Sequence, residues 1–113
     1  WGGDGSEEEG GDSGDGDGDI FEATSAGFLV SDPGSSPQEW HRDGPDSGYL
    51  NAFVPLIDLT KDLGPTELLL GTHRTKGIPS NGDGQEQEHI APVIKRGEVL
   101  LFDYRTVHRG GGN

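Results

Sequence analysis

The chain has 113 residues, a formal net charge of −13 at neutral pH and an apolar content of only 28%. This length allows one small domain, and the absence of cysteine excludes disulfides and thiolate zinc sites. No apolar run is long enough to span a membrane, and no basic cluster indicates a nucleic-acid interface. We therefore expect a soluble protein with neither a membrane nor a nucleic acid as partner, and the sequence leaves its compartment open between the cytoplasm and an organelle lumen.

Residues 1–19 form an acidic, glycine-rich tract with eight glycines, eight acidic residues and no basic residue. Such a segment cannot bury enough apolar surface to offset its ordering entropy, so we predict that it is disordered. Asp15, Asp17 and Asp19 alternate as in a calcium-binding loop, but Ile20 stands where an EF-hand needs glycine. We therefore interpret the tract as a solvated linker and place the folded domain at residues 20–113.

The first elements with a strand pattern follow Ser36. Residues 40–43 suggest a short strand, and a turn at 44–48 contains two glycines and a proline. The next segment, 49–59, alternates, so Asn51 and Phe53 fall on one face while leucine, alanine and valine positions fall on the other.

The second half of the chain continues with short strands and loops. Brief apolar runs occupy 67–70 and 90–94, and residues 75–89 form a polar surface loop. The strongest pattern covers 98–108, which we predict to be one continuous strand. Short strands, frequent turn signals and the lack of any helical periodicity favour an all-β sandwich or barrel.

One triplet in the first short strand carries chemistry. On a strand, His41 and Asp43 point to the same face and Arg42 points away. A third ligand has to come from elsewhere, and His108 ends the longest predicted strand. Two histidines and one carboxylate form the facial triad of non-haem Fe(II) oxygenases, which leaves metal positions open. The triplet alone is weak evidence, because His41 beside Trp40 is also compatible with packing and Zn²⁺ accepts the same ligands.

Five sequence blocks, which cover the chain from about Gln38 to Asn113, give the triplet a context. They are His41-Arg-Asp-Gly-Pro45, residues 50–60 (LNAFVPLIDLT), 64–67 (GPTE), 71–74 (GTHR) and 97–111 (GEVLLFDYRTVHRGG). In order and spacing these blocks resemble the phytanoyl-CoA dioxygenase family.

The resemblance implies a double-stranded β-helix, a jelly-roll or cupin-like barrel, of which this chain holds an incomplete part. It also implies an Fe(II)/2-oxoglutarate-dependent dioxygenase that acts on a small-molecule substrate with O2. His41, Asp43 and His108 would be its metal ligands and catalytic centre. Since halogenating relatives lack the carboxylate ligand, Asp43 favours hydroxylation over halogenation.

Two further residues are candidates for contacts with the co-substrate 2-oxoglutarate. Asn51 lies on the strand after the triplet, and Thr106 shares strand parity with His108, as does Tyr104. The family's arginine for 2-oxoglutarate lies on the strand after the distal histidine. Arg109 is too close to His108 for this role and should point the opposite way. A truncated or non-catalytic barrel fragment without that arginine, and a cupin-like small-molecule-binding barrel, therefore stay open as alternatives.

Overall fold

The structure, a computed structural model, describes residues 20–79 and 88–113. The tract at 1–19 and the centre of the polar loop, 80–87, lie outside the described residues, so the predictions for them stay predictions. The chain divides into two compact units, Trp1–Val30 and Ser31–Asn113. In the first unit, the described residues 20–30 are exposed and form no helix or strand.

The second unit is built from short strands. Four strands occur in the order β1 (Leu50–Phe53), β2 (Thr66–Leu68), β3 (Leu100–Asp103) and β4 (His108–Gly110), with single 3-10 turns at Lys61–Leu63 and Thr72–Arg74. The described residues contain no α-helix. Their two short 3-10 helices are not long and apolar enough to cross a membrane. The predicted all-β class is therefore confirmed for the described residues.

Antiparallel pairs join strands that are far apart in the sequence. β1 pairs with β3, which sets Asn51 opposite Phe102, and β2 pairs with β4, which sets Leu68 opposite His108. The predicted strand at 40–43 is reduced to one bridge, between His41 and His108. These pairings give two two-stranded sheets, which do not close into a barrel within the described part of the chain.

The segment predicted as one strand over 98–108 is broken in the middle, so that prediction was wrong. Asp103 turns the chain: its carboxylate accepts hydrogen bonds from the backbone N–H of Arg105 at 2.9 Å and from the guanidinium at 2.7 and 2.9 Å. The backbone N–H of Thr106 donates to the Asp103 carbonyl at 2.9 Å. An aspartate that binds the backbone two residues ahead is a common turn signal. Strand parity therefore does not connect Tyr104 and Thr106 with His108.

The buried apolar core is small. Among the described residues it consists of Leu68, Leu69, Phe102 and Val107. In β1 the apolar face is the outer one, since Leu50 is 52% exposed, whereas Asn51 and Phe53 lie on the more buried side. Pro55 is buried just beyond the paired residues of β1, where its lack of a backbone N–H leaves no ladder hydrogen bond unmade.

A close approach of two backbone segments fixes the end of β4. Gly64 has a φ of 73°, and a Cβ there would lie 2.5 Å from the carbonyl oxygen of Gly111. The Gly111 N–H donates to the Pro65 carbonyl at 3.1 Å. Glycine is required at residue 64 both for its left-handed conformation and for this contact. The turn before β2 thus holds the strand that begins with His108.

Candidate metal centre

The structure brings the three predicted ligand residues together. His108 is the first residue of β4, and the bridge to His41 sets the two imidazole rings 4.5 Å apart, centroid to centroid. Asp43 lies two residues after His41, and its backbone N–H donates to the carbonyl of Tyr104 at 3.1 Å. One ligand atom from each of the three side chains lies within 4.8 Å of the other two.

Backbone carbonyls orient both imidazole rings. The Nδ1 of His41 lies 2.8 Å from the Glu39 carbonyl, and the Nδ1 of His108 lies 2.8 Å from the Thr106 carbonyl. Because a carbonyl only accepts, each Nδ1 carries the proton and each Nε2 keeps a free lone pair. Both Nε2 atoms face Asp43, at 3.6 Å from its Oδ1 for His41 and 3.4 Å from its Oδ2 for His108.

The two histidines differ in burial. His108 is only 3% exposed, and this burial lowers its pKa, against the opposing effects of the Thr106 carbonyl and the Asp43 carboxylate. A lowered pKa favours the neutral imidazole, which is the form that binds metals. The side chains of His41 and Asp43 are 40% and 37% exposed. The cluster therefore has one buried wall and one side open to a small molecule.

Aromatic rings form the buried wall, a feature that the sequence reasoning missed. Phe102 meets the His108 ring edge-on at 4.8 Å, and Phe53 does so at 6.3 Å. The two phenyl rings also pack against each other at 5.1 Å. The signal was present in the alternation of β1, which sets Phe53 on the same face as Asn51.

The two predicted co-substrate contacts have other neighbours in the structure. Asn51 Nδ2 donates a hydrogen bond of 2.6 Å to Asp43 Oδ2. Thr106 is buried and lines an open cavity of about 410 Å³, whose lining includes β3 but none of the three clustered residues. Tyr104 packs its ring against Tyr49 at 4.8 Å. A role in binding 2-oxoglutarate stays a prediction for Asn51 and Thr106.

The residue between the two ligands of the triplet, Arg42, points away from them as predicted, but its partners were not foreseen. Its guanidinium donates to the backbone carbonyls of Arg105 at 2.9 Å, Thr72 at 3.0 Å and Thr75 at 3.2 Å, and also to that of Gly77. It reaches the Thr75 hydroxyl at 3.0 Å as well. Two separate backbone segments, residues 72–77 and Arg105, are thereby attached to the triplet.

Arg109 also points away from the metal-ligand cluster, as predicted from its position next to His108. Its Nε donates to Glu67 Oε1 at 2.6 Å, and its guanidinium lies 4.2 Å from the centroid of the Trp40 ring. Glu67 and Arg109 are direct partners across β2 and β4. This ion pair and cation–π contact stabilise the reverse side of the strand that presents His108.

The donor set of the cluster fits a divalent iron ion. Two imidazole nitrogens and one carboxylate are the ligands of facial-triad Fe(II) sites, and here all three are supplied from neighbouring backbone segments. The carbonyl partners of Nδ1 at both histidines are the outer contacts that metal-binding imidazoles usually have. His73, in contrast, lies in the 3-10 turn at Thr72–Arg74 and is not part of the cluster.

Comparison with known proteins identifies a family for this chain. The family described as phytanoyl-CoA dioxygenase (PhyH) matches residues 21–113. Dioxygenase hkm4 of Aspergillus hancockii is 35% identical over 101 residues, which is 80% of this chain and 32% of the relative. Dioxygenase easH of Epichloe festucae var. lolii is 32% identical over 75% of this chain and 51% of its own length.

A third relative, the iron/alpha-ketoglutarate-dependent dioxygenase ausO of Aspergillus calidoustus, is 28% identical over 78% of this chain and 34% of its own length. The chain thus spans between about a third and a half of the length of these curated relatives. The family match nevertheless covers nearly the whole chain, including the cluster of two histidines and one aspartate. The chain belongs to the phytanoyl-CoA dioxygenase family.

Proposed function

We propose that the chain is the metal-binding part of an Fe(II)/2-oxoglutarate-dependent dioxygenase, with His41, Asp43 and His108 as the iron ligands. The observation that carries the proposal is the cluster itself: three ligand atoms within 4.8 Å, with both Nε2 atoms directed at the carboxylate. When bound, Fe(II) supplies the activation of O2 for hydroxylation of a small molecule, coupled to oxidative decarboxylation of 2-oxoglutarate to succinate and CO2.

The residues of the chain orient this chemistry and limit the access of water. The bridge between His41 and His108 fixes the separation of the two imidazoles, and the buried ring of His108 is shielded by Phe102. The partly exposed side of Asp43 gives the approach for the co-substrate and the substrate. A carboxylate at this position favours hydroxylation over halogenation, because it fills the position that a halide would need.

We also propose that the two sheets are part of a double-stranded β-helix. The support is the family membership together with the antiparallel pairing of strands that are distant in sequence, β1 with β3 and β2 with β4. In such a barrel, inward-facing positions of neighbouring strands converge on one interior. Asn51 lies opposite Phe102 in the pairing of β1 with β3, and Phe102 packs against His108, as such an interior would require.

The proposed function is tested by removing the carboxylate ligand. In the full-length protein, Asp43→Ala should lower 2-oxoglutarate decarboxylation in the presence of Fe(II) by more than about 100-fold, because loss of a ligand exceeds the usual cost of losing an outer contact. The matched control is Asp62→Ala, an exposed aspartate in the turn at Lys61–Leu63 whose partner is Thr60.

Release of CO2 from 2-oxoglutarate labelled at its first carbon measures the turnover of both variants. The Asp62→Ala protein should retain the activity of the wild type. Equal turnover in the two variants would show that Asp43 is not a ligand of the catalytic metal. A wild-type protein that folds and binds metal but does not consume 2-oxoglutarate would favour the non-catalytic or cupin-like alternatives.

A further inference from the structure

We propose that Asn51 is a positioning residue that keeps Asp43 a one-oxygen ligand, so that the bound metal retains three open positions. This inference rests on the proposed function, because it assumes that Asp43 binds the metal. It assigns Asn51 to the carboxylate ligand, in place of the direct contact with 2-oxoglutarate that the sequence suggested.

The two oxygens of the Asp43 carboxylate have different surroundings. Oδ2 accepts a hydrogen bond of 2.6 Å from Asn51 Nδ2, which is short for an amide donor. Each oxygen also faces one imidazole nitrogen, Oδ1 at 3.6 Å from His41 Nε2 and Oδ2 at 3.4 Å from His108 Nε2. Since His41 donates through Nδ1 to a carbonyl, its Nε2 carries no proton and gives Oδ1 no hydrogen bond. Oδ1 is therefore the oxygen left for the metal.

The position of Asn51 is set by the strands that also form the buried wall of the cluster. Asn51 lies opposite Phe102 in the pairing of β1 with β3, and Phe102 packs edge-on against His108. The next residue on the same face of β1, Phe53, also contacts the His108 ring. One strand face thus sets an amide against the aspartate ligand and a phenyl ring against the histidine ligand.

The number of carboxylate oxygens on the metal decides what else can bind. A six-coordinate ion with two imidazoles and one carboxylate oxygen has three open positions, the arrangement of the facial triad. A carboxylate that chelates through both oxygens leaves only two. Since 2-oxoglutarate takes two positions by chelation, only the one-oxygen arrangement leaves a position for O2. The hydrogen bond from Asn51 competes with the metal for Oδ2 and so favours that arrangement.

The test uses Mn²⁺, which suits carboxylate and imidazole sites and whose bound waters shorten the relaxation time of solvent protons. In the full-length protein we would compare the wild type with Asn51→Leu, which keeps the approximate size but removes the donor. The control is Leu50→Asn, a change at the neighbouring exposed position on the opposite face of β1. Affinity for Mn²⁺ and proton relaxivity per bound ion are measured without any turnover.

The Asn51→Leu protein should bind Mn²⁺ at least as tightly as the wild type, while its relaxivity falls by about one third as three open positions become two. The control should match the wild type in both quantities. Unchanged relaxivity in Asn51→Leu would overturn the inference, and so would loss of Mn²⁺ affinity with unchanged circular dichroism. If the folded wild-type protein itself binds no Mn²⁺, the metal-site proposal fails before the role of Asn51 is reached.

Discussion

The guanidinium of Arg42 donates to carbonyl groups in two distant backbone segments although the residue stands between two proposed metal ligands. Sequence parity correctly directs this side chain away from His41 and Asp43. Its partners could not be predicted, because they lie 30 to 63 residues further along the chain. Hydrogen bonds to backbone carbonyls also leave no trace in the identity of the partner residues.

Replacing Arg42 should destabilise the fold around the cluster. We expect Arg42→Ala to lower the free energy of unfolding by about 2–4 kcal/mol, because charge-assisted hydrogen bonds are lost and several carbonyl groups are left without their donor. Arg42→Lys should recover little, since an ammonium group lacks the planar fork that reaches all of these acceptors. Urea denaturation measures both. Arg74→Ala, an exposed arginine in the neighbouring turn, is the control, and an equal loss there would contradict the account.

Asp103, the aspartate that breaks the long predicted strand, forms an ion pair with Arg105. Hydrogen bonds from the Arg105 guanidinium hold the pKa of Asp103 well below its usual range, at about 2. The folded-state pKa thus lies below the unfolded value of about 3.9. The pair therefore stabilises the fold above about pH 4, and this contribution is lost as the pH falls towards 2.

The pKa of Asp103 can be read directly from an NMR titration of its carboxyl carbon. In the Arg105→Gln protein it should rise towards the ordinary value, because the charged donor is removed. An unchanged pKa would mean that the turn itself, and not the ion pair, sets the ionisation. The stability effect should be small in either case, since about a quarter of each side chain is exposed and solvent screens the pair.

At the scale of elements, the sequence identified the extended segments but not their ends. The segment 98–108 contains enough alternation to suggest one strand, yet Asp103 forms a local side-chain turn that competes with the ladder. The segments at 40–43 and 90–94 are paired at single bridges, His41 with His108 and Leu68 with Ile90. Pairing depends on partners remote in sequence, so periodicity alone gives no account of how long each ladder is.

Adjacent positions of β3 provide a matched test of which face is buried. Phe102 is 8% exposed and packs against His108 and Phe53, whereas Leu101 is 62% exposed. Phe102→Ala should lower the free energy of unfolding by about 3 kcal/mol, as expected for a buried phenylalanine. Leu101→Ala should change it by less than about 0.5 kcal/mol. Similar losses in the urea midpoint for both variants would contradict the observed register of β1 and β3.

At the scale of the whole molecule, the candidate cluster was more predictable than the fold around it. The spacing of His41 and Asp43 follows from strand geometry, and the family resemblance pointed to His108 across a gap of more than sixty residues. Composition could not show which apolar side chains are covered. Several large ones, including Leu56, Leu70 and Leu101, are more than 60% exposed, although alternation alone would have set some of them in a core.

The small core has a consequence for experiments. Four buried leucine, phenylalanine and valine side chains among the described residues are few for a domain of this length, since short chains bury a small fraction of their surface. Variants of the cluster should be compared by circular dichroism before their metal content is interpreted.

The central claim is that His41, Asp43 and His108 form one Fe(II) site, and anaerobic equilibrium binding of Fe(II) to the full-length protein tests it most directly. The wild type should bind one Fe(II) per protein chain. Each of the variants His41→Ala, Asp43→Ala and His108→Ala should weaken this binding by more than about 100-fold, because each removes a ligand. His73→Ala, which removes a histidine outside the cluster, should leave the affinity unchanged. Retention of wild-type affinity in any of the three cluster variants, with the fold intact, would contradict the proposed site.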